Sequence, residues 1–275
     1  MEVHKMKKMT AVLIAVSLLL LAGCSEKSEN TLRVGMDLRF FPFTGMDSKA
    51  EPSGVEIDIA RALGEFLEKD VEIVNTSFSM LIPALQSEEI DIIIGSMSVS
   101  EEREKTVDFS DPYLFDRIVA LVNKEYADAH GVDDFMEVET FFSYKEAQFI
   151  GITGSVAVSI PQSYGFEVQS VTTDAVAERE IATGGADILV GAYTLYGMHD
   201  TNKESTIMYK KSIESASTAM AVKEGNTELL HKVNKFISQM ESSGLNDRLR
   251  KDWDAEIGKK LFDHNITLDY YLSLD

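Results

Sequence analysis

The chain has 275 residues and one cysteine, which excludes an internal disulfide and any cluster of thiolate metal ligands. Positive charge is also scarce: 26 Lys and Arg face 46 Asp and Glu, giving a formal charge of −20. A folded polyanion repels phosphate backbones and anionic lipid head groups, so neither a nucleic-acid binder nor a polybasic membrane clamp fits. Histidines are few and scattered (His4, His130, His199, His231 and His264), and neither Gly-x-Ser-x-Gly nor a phosphate loop occurs. Motifs therefore assign no catalytic residue, no metal and no cofactor. There is no internal repeat at a fixed period. What is present, 44% hydrophobic and 26% charged residues, suits one large globular unit or two of ordinary size and rules out low-complexity disorder.

Only one long apolar run exists, and it stands at the start. Lys5, Lys7 and Lys8 precede an apolar stretch over residues 11–21, which Leu21, Ala22, Gly23 and Cys24 close. This is the plan of a secretory signal peptide over residues 1–23, and the run falls short of the roughly 20 residues of a membrane span. The cysteine after small residues resembles the lipobox of bacterial lipoproteins, in which Cys24 becomes the lipidated N-terminus, carrying acyl chains such as palmitate. An ordinary signal peptide with an incidental Cys24 is the alternative. Several acyl chains at one terminus hold a protein firmly on a membrane. Cleavage leaves 252 residues, and losing three Lys and Glu2 takes the charge to −22. Residues 24–30 (CSEKSEN) read as a lipidated, flexible tether.

Beyond it, strand and helix patterns alternate. Residues 32–36, 71–74 and 91–95 read as strands, separated by helices over 54–69 and 79–88; a second series places strands at 149–152, 168–171 and 187–190 and helices at 155–163 and 173–183. Nearly uninterrupted apolar strands alternating with helices predict a mostly parallel sheet covered on both faces. The chain thus holds two α/β units. Extended stretches at 117–123 and 217–223 follow the first and second unit. If the helical C-terminal region returns to the first unit, these stretches form a two-stranded hinge beside a cleft.

Residues 32–43 (LRVGMDLRFFPF), 78–91 (FSMLIPALQSEEID) and 95–113 (GSMSVSEEREKTVDFSDPY) resemble the amino-acid-binding family 3 of bacterial extracellular solute-binding proteins, as do residues 221–253. The likeness covers most of 32–124 and 217–253, specific in the first half and weak in the second. It implies the periplasmic binding protein type II fold: two α/β lobes with central mixed sheets, joined by a two-stranded hinge, with the ligand in the cleft. On that basis lobe one comprises 31–117 and 222–256, lobe two 124–216, the crossings 118–123 and 217–221, and a C-terminal extension 257–275.

Arg103 follows the 91–95 strand by a Ser-rich loop, and its planar guanidinium can grip a carboxylate bidentately. The resemblance makes it the α-carboxylate site; a solvated ion pair among Glu101, Glu102 and Glu104 is the alternative. Ser96 and Ser98 match ligand-binding positions, Phe40 and Phe78 match aromatic walls, and Phe43 reads as core. Asp37 matches a contact to a polar or cationic group or caps a turn. Thr153 and Ser155 open a helix whose N-terminus suits an anion. One departure stands out: the family's aspartate for the α-amino group falls on Ala192, beside Gly191 and Tyr193. A buried ammonium then needs another carboxylate, with Asp37, Glu56 or a lobe-two residue as candidates, or the ligand lacks the amine.

The resemblance implies a monomeric, lipid-anchored receptor of an ABC importer that carries an amino acid or related carboxylate to permease subunits on the extracytoplasmic face of the cell membrane. It implies no enzyme activity, no cofactor and no nucleic acid partner. A dehydratase-type enzyme acting on a cyclic carboxylic acid, as in some relatives of this fold, and a ligand-presenting sensor remain the alternatives.

Overall fold

The computed structural model describes residues 30–261 and 266–273. The signal peptide, the lipidation of Cys24 and all but the last residue of the tether lie outside the described residues. The fold occupies the unit that starts at Leu32. Strand β1 (Thr31–Met36) leads through a small hairpin of β2 (Gly45–Met46) and β3 (Pro52–Ser53) to α1 (Val55–Leu67), β4 (Asp70–Asn75), α2 (Leu81–Gln86), β5 (Ile92–Ile93) and the long β6 (Val107–Asn123). Then come α3 (Lys124–His130), α4 (Val138–Phe141), β7 (Phe149–Ile152), α5 (Val156–Ser163), β8 (Val168–Val171), α6 (Asp174–Thr183), β9 (Ile188–Gly191) and α7 (Thr194–Thr201). A second long strand, β10 (Thr206–Lys223), precedes α8 (Thr227–Gln239), α9 (Leu245–Lys260) and α10 (Asp269–Leu272).

One mixed sheet runs through the molecule in the order β4-β1-β5-β10-β6-β9-β7-β8. β1 with β5, and β7 with both β8 and β9, are parallel; every pairing of the two long strands is antiparallel. β6 and β10 pair from Thr206↔Asn123 to Lys223↔Val107, with irregularities after Tyr209 and around Ala219. β6 gives Val119, Ala120, Leu121 and Val122 to β9, whereas β10 gives Ala221 and Val222 to β5. Each long strand therefore belongs to the sheet of both lobes. In the ladders, residues 114–118 of β6 pair only with β10.

The apolar strands are buried on both faces, as a sheet sandwiched by helices requires. Ile92 and Ile94 enter one core cluster with Val34, Ile59 and Leu63, while Ile93 enters another with Leu81, Leu85 and Val107. In lobe two, Ile118, Ala120 and Val122 face Phe149 and Ile188, and Val119 and Leu121 face Ile150 and Ile181. The C-terminal helices do return: Val233, Phe236, Leu249, Trp253 and Ile257 complete the first lobe's core. Trp253 Nε1 donates to Asp58 on α1 at 2.9 Å. Gly54 starts α1 at φ 151°, where an added Cβ would stand 2.2 Å from the Phe43 carbonyl oxygen; only glycine fits.

Several expected elements differ. The helix expected over 79–88 is a 3-10 turn (Phe78–Met80) followed by only six α residues, and the strand expected over 91–95 contributes two residues to the ladder. Both extended stretches are far longer than their apolar runs. β6 reaches back through Pro112, which sits at a register irregularity where its missing N–H is tolerated. α3, α4 and α7 were not expected. α3 carries a sequence signal, since the Asn123 side chain caps it by accepting from Glu125 N and Tyr126 N.

Candidate functional site

The carboxyl ends of β1, β4, β5, β7 and β9 converge beside the crossing strands, and a cavity lies there, between the lobes. Open α/β sheets bind ligands at this place. It offers about 110 Å³ to the centres of water-sized molecules. One water needs roughly 10–15 Å³ on that measure, so the cavity has room for several water-sized groups.

Of the residues singled out in the sequence, Phe40, Phe78, Ser96, Ser98, Arg103 and Ser155 line the cavity; Asp37 and Thr153 do not. Phe43 is in the core, 1% exposed. Arg103 enters from a 3-10 turn (Arg103–Lys105) and is 8% exposed. Its Nη1 donates to the Ser98 carbonyl and its Nη2 donates to the Gly154 carbonyl across the cleft at 2.6 Å. The guanidinium lies 5.3 Å from the Phe78 ring centroid. Among the described residues no carboxylate pairs with it, and burial lowers its pKa to about 10, with Glu102 offsetting part of that effect. It is therefore a charged, desolvated donor held only by neutral oxygens, which favours an anion.

The Ser96 backbone is in the left-handed region, φ 50°. Such a conformation needs support in a residue other than glycine. Glu56 supplies it. This wholly buried side chain accepts from Ser96 N at 2.8 Å, from Ser96 Oγ at 2.7 Å and from the Tyr113 hydroxyl. Ser96 Oγ also meets the Tyr193 hydroxyl at 3.1 Å, a link from lobe one to lobe two. Ser155 caps α5, accepting from Ala157 N and donating to the Ile152 carbonyl at 2.7 Å. Thr153 instead bonds outward to the Val171 carbonyl and is exposed.

The carboxylates divide sharply. Asp37 is taken by Arg39, which donates Nε at 2.7 Å and Nη2 at 2.5 Å, and by Phe78 N at 2.9 Å. It thereby sets the Phe78 wall from behind. Asp174 lines the cavity but faces Arg39 at 3.3 Å, a second interlobe tie. Asp116, on β6 and 5% exposed, also lines the cavity. Its side chain has one hydrogen bond, from Thr218 Oγ1 at 3.0 Å, and among the described residues no cation pairs with it. Sequence reasoning missed Asp116; the available signal was a carboxylate two positions ahead of the apolar run at 118–122, with Arg117 between.

Burial first, and the nearby Glu56 charge, hold the Asp116 carboxyl at about 7 against the usual 3.8, with the Thr218 bond acting the other way. A carboxyl raised by folding stabilises below the unfolded value and loses that contribution as pH climbs through the folded value. Ionising Asp116 inside the fold thus costs on the order of 4 kcal/mol at the upper limit, spread between about pH 4 and 7. Asp116→Asn should therefore gain thermal stability over the natural chain at pH 8 relative to pH 4. Parallel melting curves that keep a constant separation from pH 4 to 8 would contradict this.

The C-terminal segment backs the site. Tyr271 packs edge-on against Phe43 at 4.7 Å and against Tyr193 at 6.2 Å between centroids. Arg117, next to Asp116, turns away from the cavity, donating to the Tyr270 carbonyl with its guanidinium 3.8 Å from that ring's centroid.

Comparison with known proteins agrees with this architecture. Residues 32–256 match the model of the bacterial extracellular solute-binding proteins, family 3. The ABC transporter glutamine-binding protein GlnH of Bacillus subtilis is 28% identical over 242 residues, covering 86% of this chain and 85% of its own. An ancestral arginine-binding protein bound to glutamine superposes with a TM-score of 0.69 at 30% identity, covering 82% of this chain and 97% of that one. The ancestral amino acid-binding protein AncCDT-1, a precursor of cyclohexadienyl dehydratase, gives a TM-score of 0.66 at 28% identity, over 82% of this chain and 95% of that one. Among the described residues no helix is long and apolar enough to cross a membrane. With its type II binding-protein fold of two lobes about a cleft, the chain belongs to the bacterial extracellular solute-binding proteins, family 3.

Proposed function

We propose that this protein is the extracytoplasmic, lipid-anchored receptor of an ABC importer, which closes its lobes on an amino acid and presents it to the permease. The observation that carries the reading is Arg103, a buried cation without a carboxylate partner on the wall of the cavity between the lobes. Phe40 and Phe78 form the apolar wall, and Ser96, Ser98 and Ser155 offer hydroxyl and backbone groups around the ligand. Lobe one is assigned to 31–117 and 222–256 and lobe two to 124–216, a division supported by the packing of Val233, Phe236 and Trp253 with Val34 and Ile59. Cys24 carries the lipid, and the chain acts as a monomer.

Among the described residues, polar contacts that tie the lobes include Arg103 to Gly154, Tyr193 to Ser96 and Arg39 to Asp174. A ligand that adds its own bridge shifts the population toward this closed arrangement, which is what a permease needs to tell loaded from empty receptor. A thermal-shift screen of the standard amino acids and L-cystine tests the reading, because a ligand that binds only the folded state raises the melting temperature by mass action. At least one is expected to raise it by several degrees at millimolar concentration, while simple amines do not. No shift from any of them would overturn the proposal.

One observation favours a second reading. A carboxyl held near 7 in the cavity, as Asp116 is, has the ionisation of a general acid, and AncCDT-1 is described as a dehydratase precursor. Steady turnover of a cyclic carboxylic acid, followed in a separate activity assay, would select it.

A further inference from the structure

We infer that Asp116, on the crossing strand β6, receives the ammonium group of the ligand, the task that the resemblance places at the position of Ala192. The inference rests on the amino-acid-binding reading above. It follows from the pairing of every acidic group around the cavity. Asp37 is held by two hydrogen bonds from Arg39 and one from Phe78 N, Asp174 shares that same Arg39 at 3.3 Å, and Glu56 is held by Ser96 and Tyr113. Asp116 alone among these four reaches the cavity wall with only a neutral threonine hydroxyl to satisfy it. A buried carboxylate without a countercharge is costly, and a cation delivered by a ligand removes that cost.

Arg103 and Asp116 are thus two unpaired buried charges of opposite sign lining one cavity, a charge pattern complementary to a zwitterion. Ala192, on the same wall, brings no charge of its own. Moving the carboxylate from lobe two to the crossing strand has a consequence. The ammonium would be held on an element shared by both lobes, so ligand recognition is built into a strand that crosses between them. Arg39 on Asp37 likewise removes the lobe-one carboxylate from service to a cationic side chain. The groups that face Asp116 are Glu56 from α1, Tyr113 from its own strand, Tyr193 from the end of β9, Tyr270 and Tyr271 from α10 and Thr218 from β10; Arg117 is engaged with Tyr270.

The test is calorimetry of the natural chain, Asp116→Asn and the double variant Asp116→Asn/Ala192→Asp. The probes are the standard amino acids and L-cystine, each beside its N-acetyl derivative, with glutaramate as the amine-free counterpart of L-glutamine. The expected result is that the natural chain rejects N-acetylated forms and Asp116→Asn weakens the free amino acid at least tenfold. Adding Ala192→Asp should recover at least part of that loss. Glutaramate, having no ammonium, should bind the natural chain and Asp116→Asn alike. Melting temperatures at pH 7 and above should show Asp116→Asn folded and at least as stable as the natural chain, separating lost binding from lost fold.

A second readout uses only the natural chain. Taking an ammonium onto a carboxylate that is part protonated at pH 6.5 expels a proton, so titrations in buffers of different ionisation enthalpy should report net proton release at pH 6.5 that falls away towards pH 8, where the carboxyl is largely ionised and the ligand amine still protonated. If Asp116→Asn binds free amino acids as the natural chain does, or no proton leaves at pH 6.5, the inference falls while the amino-acid reading stands. Failure of the natural chain to bind any amino acid of the panel overturns that reading and the inference with it.

Discussion

Arg103→Ala is expected to weaken amino-acid binding by at least tenfold, with a loss of about 2–4 kcal/mol, or roughly 30- to 1,000-fold, as the central expectation for removing one partner of a buried, hydrogen-bonded charge pair. The reason is local. The guanidinium is already desolvated, so an incoming carboxylate gains the attraction without the protein paying a fresh dehydration cost for the arginine. Its Nη1 already donates to the Ser98 carbonyl of its own lobe, so part of its orientation is set before the ligand arrives. Arg103→Lys should rescue little, because a point charge on a flexible stem reproduces neither the planar fork nor the contact with Phe78. Folding stability should change less than affinity, since the variant loses two hydrogen bonds but also removes a buried charge without a countercharge. Calorimetric affinities of all three chains decide it: unchanged affinity in Arg103→Ala would remove the cavity from consideration as the binding site. A fall in affinity matched by an equal fall in unfolding free energy would mark the residue as structural.

How much of this was legible in the sequence depends on the range of the interaction concerned. The strand over 91–95 and, in lobe two, β7 and β9 could be read because each is a short apolar run buried on both faces, a property that composition records. Arg103 could be read because its loop carries the family's motif. Neither long strand could be bounded. The first half of β6 contains Asp108, Ser110, Asp111 and Pro112, and only pairing with β10, more than a hundred residues away, holds it extended. The same holds at the site. Asp37 looked available to a ligand until Arg39 folded back on it, and Glu56 looked like a cleft acid until Ser96, forty positions on, closed over it. The cluster of Phe43, Tyr193 and Tyr271 joins three distant parts of the chain, so nothing local announced that the C-terminal segment would back the cavity. What local pattern records is burial; which buried charges find partners is a matter of tertiary approach.

Glu56→Ala is expected to destabilise the protein by about 3–5 kcal/mol, which for a chain of this size lowers the melting temperature by roughly 10 °C. The change deletes three hydrogen bonds, leaves the buried Tyr113 hydroxyl without its acceptor and withdraws the support of Ser96 in its left-handed conformation. Because the Ser96 to Ser98 loop forms one wall of the cavity, affinity should fall as well, although Glu56 itself does not line it. Glu56→Gln separates the two roles: it keeps the volume, one acceptor for Ser96 N and Tyr113, and an amide able to donate to Ser96 Oγ. It should therefore hold the loop and most of the affinity. It should also change the pH profile. Burial raises the Glu56 carboxyl above its usual 4.5, against the lowering effect of Tyr113 and Ser96. Its contribution to stability is thus complete below about pH 4.5 and shrinks as pH rises through the folded-state value. The glutamine variant lacks that ionisation, so its stability should decline less between pH 4 and pH 8 than that of the natural chain. Urea unfolding at several pH values, paired with calorimetry, reads both quantities. If Glu56→Ala melts within two degrees of the natural chain while its affinity collapses, Glu56 touches the ligand directly and the supporting role assigned to it is wrong.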